Sequence, residues 1–250
     1  MTKVAILIDG GFFLKRLRKI RPAVKMADAV AIRQAIHQLV NSHLQQINQI
    51  ERVPNARSLL YRVFYYDAYP YQGKEHRPVS GQAVNFADSE TARFRLNLFQ
   101  ELRSMPNTAV RLGEVRRIGG WALHTDVQKR LLQNKLKLDD LRDEDFKLSL
   151  QQKSVDMRLG IDISSLTLKK QADILILVTG DADFVPAAKL ARRGCKHHSG
   201  SPVVEHWAGP VRAHRRLAQR FCPAGIPSGI LTKVRAGPPP RRDIHTNPNP

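Results

Sequence analysis

The sequence predicts an α/β fold, an open and mainly parallel sheet covered by helices on both faces. Three observations predict it. Short β-branched apolar runs alternate with stretches of helical periodicity along the chain. The run Asp173 to Val178, DILILV, is apolar without alternation, as in strands buried on both faces. At 250 residues with 42% hydrophobic content, the chain can bury one sizeable core.

In chain order, Lys3 to Ile8 reads as a buried strand. It stops at Asp9-Gly10-Gly11, where glycines permit a tight turn into a helix. Asp28 to Ile50 carries Val30, Ile32, Ile36, Leu39, Val40 and Leu44 at helical spacing and reads as a crossover helix. Leu59 to Tyr66, rich in aromatic and β-branched residues and ending at Asp67, is a second strand. Ala87 to Leu102 repeats the helical pattern, and Thr108 to Val115 supplies a third strand. A polar helix is expected over Leu123 to Leu138. The acid-rich stretch Asp139 to Asp145 then reads as a solvated helix boundary. Ser154 is placed to cap a helix through Leu168, and Thr179-Gly180-Asp181-Ala182-Asp183 leads from the DILILV strand into a last helix that Gly194 can close.

Composition changes after Lys196. Residues 197–250 hold nine of the 15 prolines and five of the nine histidines, with eight Lys or Arg against two acids. We therefore expect a folded domain over residues 1–196 and a basic, Pro/His-rich, disordered tail over 197–250 without a clear strand. The formal charge of +19 points to a polyanionic partner, nucleic acid before a membrane surface. The segment 1–196 is itself basic, with 33 basic against 20 acidic residues. No apolar run approaches spanning length, and Cys195 and Cys222 are the only cysteines, so a cytoplasmic protein is expected. The spacing of His197, His198, His206 and His214 around those cysteines matches no standard zinc site.

The chemistry-bearing residues are carboxylates. Ligands of open parallel sheets gather beyond the carboxyl ends of the strands, where Asp9 and the pair Asp181/Asp183 fall on two different strands. If those strands are neighbours, three acids converge on one crevice, and Mg²⁺ or Mn²⁺ is the usual relief for such crowding. Asp162 lies on the apolar stripe of its helix with Leu159 and Leu166, and an acid there needs a partner. Asp156, in the first turn of that helix, flanks the crevice from its rim, with Lys153 three residues before it. Together these residues can hold one or two hard cations that polarise a phosphate and activate water. Simpler roles stand beside this one: Asp9 supports the turn, Asp183 caps the last helix, and Asp156 complements a helix dipole. A phosphatase of the haloacid dehalogenase type would want a second Asp at the position of Gly11.

Three motifs resemble those of the NYN domain, the LabA-like branch of the PIN-like nuclease superfamily. They are Ile6-Leu7-Ile8-Asp9-Gly10-Gly11-Phe12, Lys153-x-Val155-Asp156 with Asp162 six residues on, and Thr179-Gly180-Asp181-Ala182-Asp183-Phe184. The resemblance runs from the N-terminus to about residue 196. It implies a Rossmann-like three-layer α/β/α, PIN-like fold and a metal-dependent ribonuclease that cleaves RNA phosphodiester bonds with Mg²⁺ or Mn²⁺. It also implies that Asp9, Asp156, Asp181 and Asp183 are catalytic acids that ligate metal or position water, with Asp162 a further metal ligand. Some members are associated with regulation, so a catalytically silent protein that binds nucleic acid or a protein partner is the alternative, and a homo-oligomer is left open. Members usually continue past the last helix with another strand and helix. Here Arg193-Gly194-Cys195 runs into the tail, so the last strand is expected to be missing.

For RNA, single-stranded or structured, the expected contacts are Lys15, Arg16, Arg18 and Lys19 after the first turn, together with Lys153. A solvated helix face is the alternative for the first four. Tyr65, Tyr66, Tyr69 and Tyr71 are candidates for stacking on bases, with at least two of them expected in the core or in loop packing. Trp121, after Arg116 and Arg117, is equally open.

Overall fold

The computed structural model describes residues 2–194 and 205–206. Its elements are β1 (Val4–Asp9), α1 (Gly10–Ile20), α2 (Ala29–Glu51), β2 (Leu60–Tyr69), β3 (Lys74–His76), β4 (Ala83–Asn85) and α3 (Glu90–Arg103), followed by β5 (Thr108–Leu123) and α4 (Thr125–Leu132). The chain continues through β6 (Phe146–Lys153), α5 (Val155–Leu168), β7 (Ile174–Val178), α6 (Val185–Gly194) and β8 (Glu205–His206). The main sheet has the order β6-β5-β2-β1-β7-β8, and β3 and β4 form a separate hairpin. All pairs of the main sheet are parallel except β5 with β6.

β1 is central because its residues can be buried on both faces. Val4 through Ile8 are 0% exposed. Val4, Ile6 and Ile8 pack with α1, α2 and α3, through Phe13, Ile36 and Phe99 among others. Ala5 and Leu7 pack on the other side with α5 and α6, through Leu159, Ile163 and Ala188. The helices between strands are closed by local chemistry. The Asp28 carboxylate accepts the Val30 and Ala31 N–H groups at 2.9 and 3.2 Å, and Ser89 accepts that of Ala92 at 3.1 Å. Among the described residues no helix is long and apolar enough to cross a membrane.

Several expectations need correcting. The second strand continues through Asp67 to Tyr69, and the third runs on to Leu123, so the helix expected over Leu123 to Leu138 shrinks to Thr125–Leu132. Beyond Glu114, β5 leaves β2 and pairs antiparallel with β6, a strand whose mixed sequence FKLSLQQK lacks the apolar run of a buried strand. This ribbon projects about 30 Å past the sheet edge. The β3–β4 hairpin packs against it: Trp121 donates its ring N–H to the His76 carbonyl at 2.8 Å, and Arg117 contacts both Glu75 oxygens. Within the acid-rich stretch, Asp140 and Asp145 accept the backbone N–H groups of Lys137 and Arg142, and Asp143 accepts those of Val79 and Ser80, which fits the solvated boundary. In the segment beyond 196, Glu205–His206 pairs with Ile176 and Leu177, a short strand where none was expected. The rest of the tail, including Cys222, His197, His198 and His214, lies outside the described residues, as does Cys195.

Ser154 occupies the cap position of α5 but makes no side-chain cap hydrogen bond, and its φ is +67°. The reason is the tight passage from β6 into α5. Gly113 of β5 lacks a Cβ, and one there would collide with the Lys153 carbonyl and Val155. A left-handed residue completes the turn at a cost of about 1–2 kcal/mol for an L side chain. Ser154→Gly should therefore raise stability by about 0.5–1 kcal/mol after the entropy of the added glycine. Urea unfolding checks this, and a lower midpoint would show that the serine side chain has a compensating role.

Candidate functional site

Asp9 ends β1 and caps α1. Its Oδ1 accepts the Phe12 N–H at 3.1 Å, and its Oδ2 accepts the Thr179 hydroxyl at 3.3 Å. Gly10 follows because no side chain fits there: a Cβ would press on the Tyr65 hydroxyl and the Tyr66 carbonyl. Thr179, fully buried just beyond β7, also accepts the Asp181 N–H at 3.3 Å through its hydroxyl oxygen. One hydroxyl thus ties the acid of β1 to the turn after β7. The Asp181 carboxylate accepts the Asp183 N–H at 2.9 Å and caps the short turn before α6. The capping role expected of Asp183 therefore belongs to Asp181. Asp183 itself is exposed, and so is Asp156 in the first turn of α5.

Ile8 pairs with Val178, so the condition that these strands be neighbours holds. The acids feel one another. Burial is the largest cause that raises the affinity of Asp9 for a proton, with Asp156 and Asp67 adding to it, while the Phe12 and Thr179 hydrogen bonds oppose it. Asp156 is raised by partial burial first, then by Asp181 and Asp183. Among the described residues no three His, Cys, Asp or Glu side chains stand close enough to hold a metal ion. The acids are spread along the edge. Their donors are all hard oxygens, which fits Mg²⁺ or Mn²⁺ in chemistry, and Mg²⁺ usually keeps several waters beside one or two carboxylates.

Asp162 has the structural partners that its apolar stripe demanded. Its Oδ2 accepts the Tyr66 hydroxyl at 2.8 Å and lies 3.4 Å from Arg111 Nε. Register explains this meeting. Asp9 pairs with Tyr66 and Tyr66 with Arg111, so the three form one transverse row on the α5 face. Sequence reasoning missed Asp67, on the opposite face of β2. It is 1% exposed, forms an ion pair with Arg95 of α3, and accepts the Tyr65 hydroxyl at 3.4 Å. Its place just after the aromatic run Leu59 to Tyr66, as an acid following an apolar strand, was the available clue.

The other expected contacts divide. Tyr65 and Tyr66 are fully buried and cannot stack on a base. Tyr71 donates to Glu75 at 2.7 Å, and Tyr69, 44% exposed, accepts from Arg103 at 3.2 Å. Trp121 packs against Phe86 at a ring separation of 6.2 Å. Lys15, Arg18 and Lys19 lie on the exposed side of α1, with Arg16 half-buried. At 1.5 Å per residue, Lys15 stands about 9 Å along α1 from Asp9 and Lys19 about 15 Å, so this run leads away from the acids. Lys153 is exposed at the end of β6, next to the turn that positions Asp156.

A family model, the NYN domain, matches residues 85–222, more than half of the chain. The match contains Lys153, Asp156, Asp162, Asp181 and Asp183, while Asp9 precedes it. No curated protein and no solved structure matches the chain.

Two predictions follow from the geometry. Asp9 and Asp156 bind a proton more tightly when folded than at the ordinary value of 3.8. Their contribution to stability is thus full below 3.8 and is lost as pH rises through their raised values. Asp9→Asn should melt above the parent protein at neutral pH, with the difference shrinking toward pH 3.8; thermal melts across that range read it, and a variant less stable at neutral pH would contradict it. Arg95→Ala, which strands the buried Asp67 charge, should cost about 3 kcal/mol or more in urea unfolding.

Proposed function

Because the chain belongs to the NYN domain family of the PIN-like superfamily, we propose that it is a metal-dependent ribonuclease. The observation that supports this reading is that Asp9 and Asp156 both bind a proton more tightly than usual, Asp9 mainly through burial with Asp156 adding to it, and Asp156 mainly through partial burial with Asp181 and Asp183 adding to it, at the end of β1 and beside the turn after β7. An enzyme that stored this repulsion without a cation would lose stability for no return.

Bound there, Mg²⁺ or Mn²⁺ supplies Lewis-acid charge to the phosphate and to the attacking water. Asp9, Asp156, Asp181 and Asp183 would hold it; Asp162 is a weaker candidate because Tyr66 and Arg111 share one of its oxygens. Asp9 is oriented from two directions, by the Phe12 N–H of α1 and by the Thr179 hydroxyl, which leaves it little rotational freedom. Asp156, exposed in the first turn of α5, would hold the cation or position the attacking water, whose proton ends on the leaving oxygen. Water oxygen then bonds to phosphorus as the ester bond to the leaving oxygen breaks. The basic surface draws the RNA in.

A second reading is a catalytically silent protein that binds RNA or a protein partner through the same fold. The spread of the acids along the edge, without a closed group of three among the described residues, is the observation in its favour.

The test incubates purified protein with single-stranded and structured RNA in Mn²⁺, Mg²⁺ or EDTA, beside Asp9→Asn and Asp181→Asn. Metal-dependent cleavage should fall by about a hundredfold or more in each variant. Cleavage that survives EDTA, or is unchanged in both variants, would sink the metal site, and RNA binding without cleavage would establish the second reading.

A further inference from the structure

The basic run expected to guide RNA sits on α1, but the fold assembles a different set of cations beside the acids. Arg111 of β5 is level with Asp9 across the sheet, two strands or about 9.6 Å away. Below Glu114, β5 has left β6 and forms the edge of the sheet, so the Arg111 side chain is 45% exposed. The guanidinium is held by one carboxylate, Asp162, and by the face of Phe64 at 5.7 Å. Arg158 lies one turn before Asp162 on the same side of α5 and is exposed. The Lys153 carbonyl occupies the space that Gly113 leaves free, and its pairing with Glu114 puts the Lys153 side chain on the face of β5 opposite Arg111. Arg111 and Arg158 thus flank one acid. Glu114, the register partner of Lys153, spends its carboxylate on Arg116 at 2.5 Å.

We propose that Arg111 and Arg158 form a phosphate track along the flank of α5 that meets β5, on which an RNA strand is held beside Asp162. Asp162 holds Arg111 in place until a phosphate takes over part of its hydrogen bonding, a role for which the planar guanidinium is suited. The inference rests on the RNA-binding reading above and specifies where the strand lies.

Full-length protein is titrated with a fluorescent polyuridine oligonucleotide in EDTA, so that binding is read without cleavage, over a series of salt concentrations. Arg111→Gln with Arg158→Gln should weaken binding about tenfold at low salt and reduce the slope of log affinity against log salt by about 1.4, two contacts at about 0.7 each. Replacing both by lysine should keep the parent slope, and Asp162→Asn should tighten binding by freeing Arg111. A glutamine pair with unchanged affinity and slope overturns the track while leaving the RNA-binding reading intact. A parent chain that does not bind the oligonucleotide overturns both. If the glutamine pair fails to fold, Arg158→Gln alone carries the test with a slope change of about 0.7, and an unchanged slope there overturns the track.

Discussion

Everything in this protein is arranged around β1, a strand hydrogen-bonded on both sides and buried on both faces. Val4 through Ile8 have no exposure at all, so the strand tolerates only apolar side chains until the chain leaves the sheet. It leaves at Asp9. The first polar side chain of the strand therefore appears at the carboxyl edge, directly against the helix that follows. The register of β2 and β7 on β1 then decides which residues join it: Tyr66 beside Asp9 on one flank, Thr179 hydrogen-bonded to it on the other.

That edge accepts a standing electrostatic cost. Asp9 is shielded from water and repelled by Asp156 and Asp67, and it remains tolerable because the Phe12 N–H and the Thr179 hydroxyl answer its two oxygens. Asp67 is managed in a different way, by burial with its own cation Arg95 on the opposite face of β2. One acid is neutralised inside the fold. Asp156 and Asp183 are exposed along the edge.

The ribbon of β5 and β6 links this edge to the rest of the surface. Its base is a close approach of two backbones, permitted by Gly113 and completed by Ser154 in a left-handed conformation. The same turn places Lys153 at the end of β6 and Asp156 in the first turn of α5, three residues apart. Further out, the ribbon is braced by the β3–β4 hairpin through Glu75, which accepts from both Arg117 and Tyr71. The position of Asp156 thus depends on residues far from it in sequence.

The strands and helices that bury an apolar stripe were legible in the sequence, because burial imposes a period on the chain: β1, α2, α3, α5 and β7 all appear near their expected places. So were the acids at strand ends, since an open parallel sheet leaves its side chains nowhere else to converge. The family was legible from motif order. β6 was not, because half-exposed strands on a ribbon need no apolar run, and its pairing with β5 is a long-range choice. Nor could periodicity reveal that Asp162 answers Tyr66 and Arg111, that Thr179 bridges Asp9 and Asp181, or that α1 carries its basic residues away from the edge. Those facts depend on strand order, register and helix direction. The sequence by itself determined which residues are buried and which acids end the strands; only the tertiary structure decided which of them meet, because meeting is set by hydrogen-bonded register between distant segments.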